Sequence, residues 1–256
     1  MSVEKLWSDK ERFFEDLMDM MVPIAGGTVE LRDYRNKNKW ISSDYTLSDP
    51  GRGSDREVMT WTETIEPLYV MKYPVTRGLY HFVMNKEEVE TSVSNLPITE
   101  VSWLDSIVFC NELSRIFGRT DCYSLATESE NTTYNNKANG FRLLTDAEWQ
   151  YASKAGTKGY RYETIDKIAW YRENSNGSAQ QVGKLLPNPW GLYDMIGNVW
   201  EWCWDLYDVE RYGNYRVFRG GSWAEEENNC GSTIRRKSMP NFKIDDLGFR
   251  IGLTSL

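Results

Sequence analysis

The sequence predicts an α+β protein with much irregular structure. Two observations carry that expectation. Two or three modest helices are marked by capping residues and by apolar side chains at helical spacing. The remainder breaks into short strand-like runs between glycines, prolines and asparagines, with no internal repeat.

The elements follow in order. Ser8-Asp9-Lys10-Glu11 has the form of a capping box, in which each end satisfies a backbone N–H left over at a helix start. Phe13, Phe14, Leu17, Met18 and Met21 then recur at helical spacing until Pro23 ends the run. Residues 1–21 are therefore expected as an amphipathic helix packed on a domain of residues 22–256. Val22 to Val29 reads as a strand entered through Gly26-Gly27, and the polar stretch from Arg32 to Thr60 as a long surface loop. Ile65 to Tyr73 has strand composition, and Thr76 is placed to cap a helix. Ser102 opens another helix that Gly118 should close in a left-handed turn. An Asn-rich loop is expected from Glu128 to Gly140. Thr145-Asp146-Ala147-Glu148 is a further capping box, whose helix should close at Gly156. Beyond it the chain is irregular and aromatic, with strand-like pieces at residues 216–220 and 248–253.

Composition excludes several functions. A chain of 256 residues can bury a sizeable core, and its net charge of −8 argues against a nucleic-acid binder, which needs a concentrated basic surface. No apolar run approaches the roughly 20 residues of a membrane span. No secretory layout opens the sequence, so a cytoplasmic protein is expected; a cell-surface or periplasmic one stays open if an export signal or lipoprotein anchor precedes it. A monomer is expected. The four cysteines are too few and scattered for a disulfide scaffold, and a single histidine, His81, rules out sites built on several imidazoles.

Several motifs stand in one order. They are Tyr73-Pro74-Val75-Thr76, Pro97 to Trp103, Gly140 to Ala152, Pro187 to Trp202, Arg216 to Trp223, and Leu247-Gly248-Phe249-Arg250. The ordered set resembles the formylglycine-generating-enzyme, or sulfatase-modifying-factor, family over roughly residues 22–256. That resemblance implies a C-type-lectin-like fold, often steadied by calcium.

Asp194 and Glu201 are hard oxygen donors around a Gly-Asn turn, as calcium requires. The resemblance completes the set with the Gly197 and Val199 carbonyls. The alternative is a turn held by Asn198 side-chain hydrogen bonds, with Glu201 paired to an arginine. In the family's enzymes two cysteines hold copper(I), which soft thiolates select. Counting from Gly220-Gly221-Ser222-Trp223, the second falls on Cys230 and the first on Glu225. No copper is therefore expected, and Cys230 is at most a weak catalytic candidate.

The span between Trp223 and Leu247 alternates turn and packing residues with polar ones. It is similar to the C-terminal segment that retroelements diversify in the variable proteins of this family. That similarity implies a non-catalytic protein displaying a variable binding face to a protein or other macromolecular ligand. The candidate contact residues are Trp204, Tyr207, Trp223, Ala224, Glu225, Glu226, Glu227, Asn228, Asn229, Ser232, Thr233, Lys237, Met239, Asn241, Phe242, Lys243 and Asp245. The alternatives are an enzyme with Cys-dependent oxidation chemistry, and an assembly protein docking through its N-terminal helix.

Overall fold

The computed structural model describes residues 10–36, 39–41, 56–87, 89–127 and 129–254. Ser8 and Asp9, with the cap they would form, lie outside them, as do residues 42–55. The chain opens with helix α1 (Lys10–Asp19), whose Phe13 and Leu17 are at most 1 % exposed. Burying two such side chains contributes about 3–6 kcal/mol, so the helix is part of the core and not an appendage. It stops two residues short of Met21, which begins strand β1 (Met21–Ile24) paired with β5 (Leu68–Met71). Pro23 sits within β1, where it is tolerated because β1 is an edge strand.

Where it is described, the loop expected from Arg32 to Thr60 is instead strand. β2 (Gly27–Asn36) pairs with β4 (Arg56–Ile65) through ten antiparallel positions, and β3 (Lys39–Ile41) adds to its other side. At the start of β2, Val29 and Leu31 are buried and Glu30 is exposed. A strand with one solvated face can carry the polar composition of a loop.

The helices follow their caps. Thr76 accepts from the Leu79 N–H at 3.3 Å and opens α2 (Arg77–Val83), and the four-residue α3 (Thr91–Ser94) packs on it. Ser102 and Asp105 form the capping box of α4 (Trp103–Ile116), and Gly118 closes it at φ +66°. The Asn-rich segment then contributes β7 (Thr133–Tyr134), paired with β6 (Tyr123–Ser124). After β8 (Phe141–Leu143), Thr145 and Glu148 cap α5 (Asp146–Lys154), and a further turn, α6 (Ile165–Ile168), precedes a long irregular stretch.

The C-terminal third forms a second sheet, in the order β11-β10-β9-β12. Its strands are β9 (Trp200–Leu206), β10 (Arg216–Arg219) after the short helix α7 (Val209–Tyr212), β11 (Arg235–Ser238) and β12 (Leu247–Phe249). The sequence hides β9 because Trp200, Glu201, Trp202 and Cys203 are all buried; a central strand covered on both faces shows no alternation. β13 (Ile251–Thr254) then enters the first sheet between β5 and β8. Arg250 is the one residue between β12 and β13. Its buried guanidinium donates to both oxygens of Glu201, to Met71 O at 2.8 Å and to Tyr193 O at 2.7 Å, joining the two sheets.

Candidate ligand-binding face

Between β10 and β12 the chain leaves the core at Gly220 and Gly221, both at positive φ. A Cβ on Gly221 would lie 2.7 Å from the Asn229 carbonyl oxygen and the Cys230 sulfur, so only glycine lets the loop fold back here. Buried Ser222 then donates to Asp246 at 2.6 Å, tying the start of the segment to its end.

From Trp223 onward the loop is held by its main chain. Ser175 Oγ donates to Trp223 O at 3.0 Å, Arg172 Nε to Ala224 O at 3.0 Å, and the Arg172 N–H to Glu225 O at 3.0 Å. Arg161 donates to Glu227 O and, at 2.8 Å, to Cys230 O, while Tyr160 OH donates to Asn228 O at 2.8 Å. All these donors lie in residues 160–175, outside the loop. Sequence reasoning missed Tyr160, Arg161, Arg172 and Ser175, since nothing in their local pattern shows that they cross onto a segment some 50 to 70 positions away.

The candidate contact residues divide by exposure. Glu226, Glu227 and Asn228 are exposed; Trp223, Ala224, Glu225 and Asn229 are half-buried. Glu226 pairs with Arg172 and Glu227 with Arg161 at the surface, contacts worth about 0–1 kcal/mol each. Glu225 is bound through both oxygens by Arg236, which also lies over the Trp200 ring, and accepts from Asn229. A second group, Met239, Asn241, Phe242, Lys243 and Asp245, is exposed on the loop after β11, joined by Ile244, which the sequence did not single out. Met239, Phe242 and Ile244 are 50, 38 and 40 % exposed. Leu104 N–H donates to Pro240 O and Glu100 N–H to Ile244 O, so this loop too is fixed through its backbone. Trp223 Nε1 reaches Asp245 O at 3.4 Å, linking the two groups.

The remaining candidates serve the scaffold in part. Ser232 is buried and donates to Tyr160 O, and Thr233 O accepts from Arg219. Tyr207 is buried beneath Arg235 and Lys237, and the Lys237 amine also lies 4.2 Å from the Tyr212 ring centroid. Trp204 stacks on Tyr123 and packs against the tilted rings of Trp103 and Tyr134, under Arg216. These two aromatic residues support the sheet rather than face solvent.

The Asp194–Glu201 turn is held by side chains. Asn198 exchanges hydrogen bonds with the Gln180 main chain in both directions, and Asp194 accepts from the Gly183 N–H at 2.7 Å. Glu201 accepts from Arg250 through both oxygens and from Trp149 Nε1 at 2.6 Å. Burial raises the Asp194 carboxyl to about 6. All four cysteines are buried free thiols, and burial pushes Cys230 up to about 12.

A family model, the sulfatase-modifying factor enzyme 1-like domain, matches residues 10–254. The chain belongs to that family. The solved structure of Treponema denticola variable protein 1 is similar to this sulfatase-modifying-factor domain with a TM-score of 0.76 at 27 % identity, covering 92 % of this chain and 95 % of that one. The chaperone protein LppX of Paenibacillus barcinonensis is 28 % identical over 84 % of this chain and 90 % of its own length. The formylglycine-generating enzyme of Streptomyces coelicolor is 31 % identical over 43 % of this chain, which spans only 46 % of that enzyme.

The metals associated with sulfatase-modifying-factor domains can be tested against these residues. Copper(I) needs two thiolates, and here one position is a carboxylate held by Arg236 while the other is a protonated, buried thiol; the residues do not fit it. Calcium needs six to eight free oxygens. Of the four expected ligands, Glu201 has both oxygens engaged by Arg250 and Trp149, and Asp194 is engaged by Gly183 and Asn198. In this geometry the set does not fit the ion, and the arginine supplies the positive charge.

Proposed function

We propose that this domain is a ligand-binding protein whose segment 223–245 is its recognition surface, diversified by a retroelement. One observation carries the reading. The loop's path is set by bonds to its carbonyls from residues 160–175, so outward side chains can change while the backbone stays in place. The similarity to Treponema denticola variable protein 1 supports it over nearly the whole chain. Met239, Phe242 and Ile244, exposed together and rimmed by polar side chains, suit burial against a protein or other macromolecular surface. The buried, protonated thiols of Cys203 and Cys230 favour this over a Cys-dependent enzyme.

The test is the DNA around the gene. A near-copy of the codons for residues 216–256, differing almost only at adenines and lying beside a reverse transcriptase, is the expected result. Its mismatches should fall on outward residues such as Glu226, Asn228, Met239 and Asn241, and spare Gly220, Gly221, Ser222 and Cys230. Absence of any such copy would sink the diversified reading.

A further inference from the structure

Strand β11 lies inside segment 223–245 and is a terminal strand of its sheet. It pairs with β10 along its whole length, antiparallel. In such a pair alternate residues turn their N–H and C=O groups away from the partner strand. Among the described residues no main-chain group bonds to that outer row, and β10 is the only sheet neighbour. An open row of main-chain donors and acceptors is a template for another extended chain.

The strand is also held in the shape a template needs. Its side chains fold onto the two faces and leave the edge clear. Arg235 and Lys237 lie 4.4 and 4.5 Å from the Tyr207 ring centroid, and Arg235 pairs with Asp146 as well. Arg236, which alternation puts on the other face, lies 4.8 Å from the Trp200 ring centroid and binds Glu225. The chain is fixed just beyond both ends. Ile234 N–H donates to Gly231 O at 3.3 Å, and Pro240 O accepts from the Leu104 N–H at 3.2 Å. A strand already ordered loses little freedom when a partner pairs with it.

Resting on the reading of segment 223–245 as the recognition surface, we propose that β11 takes up an extended, non-basic segment of the partner protein as an added strand. Main-chain bonds of this kind do not depend on which side chains the strand carries. Every variant of the segment would share that contact, while outward residues such as Met239 and Asn241 set the specificity. A second copy of this chain is a poor occupant. Pairing β11 with itself would set Arg235, Arg236 and Lys237 against the same cations, and like charges facing each other across a ladder repel. The same repulsion excludes a basic partner strand and admits a neutral or acidic one.

The test is a titration of the intact protein with the peptide acetyl-Thr-Val-Glu-Val-Thr-amide, followed by amide chemical shifts and hydrogen exchange. Saturable shifts along β11 are expected in the millimolar range. Exchange should slow at one alternate pair of its amides, either Arg235 and Lys237 or Arg236 and Ser238, because only one pair faces outward. N-methylation of the three central peptide residues removes the donors of both peptide edges and should weaken binding about tenfold or more. Exchanging the peptide glutamate for lysine should weaken it too. Lys237→Glu should reverse that preference; if the variant does not fold, the two peptides on the wild-type protein decide. No saturable shift, equal binding of the methylated peptide, or protection of all four β11 amides alike would each overturn the proposal. Dimerisation of the free protein through β11 would overturn it in favour of a second copy. The two readings fail separately. A near-copy of the codons beside a reverse transcriptase, with no effect of methylation, would reject strand addition and leave the diversified surface standing. Methylation-sensitive binding without such a copy would do the opposite.

Discussion

The loop at residues 223–232 and the turn at residues 194–201 lie on one sheet but are fixed in opposite ways. The turn is held by side chains: Asn198, Asp194 and Glu201 are all buried and each bonds through its own functional group. The loop is held mainly by its carbonyls, gripped from other segments, with Glu225 and Ser232 the side chains that also anchor it. A region of the first kind can keep its shape only with its own residues. A region of the second kind keeps its shape while its side chains change.

Five measurements would break or sharpen that contrast. The largest effect is expected at Arg250→Met, which leaves buried Glu201 unpaired and should cost about 3–5 kcal/mol in urea denaturation, or prevent folding. Next is pH. The folded-state value of Asp194, about 6, lies above its ordinary 3.8, so its protonated form is favoured by folding. Its contribution is complete below about pH 4 and lost as pH rises through 6. Wild type should therefore gain up to about 3 kcal/mol relative to Asp194→Asn between pH 7 and pH 4. A constant difference between the two proteins would contradict the assignment.

Arg161→Ala removes two bonds to loop carbonyls and should cost about 2–3 kcal/mol, with faster proteolysis confined to residues 223–232. Alanine at Glu226, Asn228, Met239 or Asn241 should change stability by no more than about 0.5 kcal/mol each. A cost near that of Arg161→Ala at several of them would remove the physical basis for a variable surface. Smallest of all, adding calcium or a chelator should leave the melting temperature where it was, because Glu201 is engaged by Arg250. A calcium-dependent rise would mean that the arginine gives way to the ion.

Much of this was legible in the sequence where structure is local. The caps at Thr76, Ser102 and Thr145 are short-range chemistry and were read correctly, as was the left-handed close at Gly118. The ordered motifs led to the family. What escaped were features set by distant partners. β9 lost its alternation to burial on both faces, and the polar composition of β2 and β4 read as loop although the two strands pair through ten positions. The exposed positions at residues 226–228, 239 and 241–245 followed from the texture of the segment. Ser232 and Tyr207 resembled them in type, but the fold turns both inward. The Tyr160–Arg161 grip had no local signal at all.

The order of strands has a consequence for how faulty messages fare. Segment 223–245 precedes β12 and β13, and those two strands enter different sheets, with Arg250 bolting them together. A frameshift or stop codon arising within the segment therefore removes an interior strand of the first sheet, the β9 partner in the second, and the counter-charge of Glu201. Such a chain cannot complete its core. The architecture thus proofreads its own reading frame: only messages translated intact through residues 223–254 yield a folded domain.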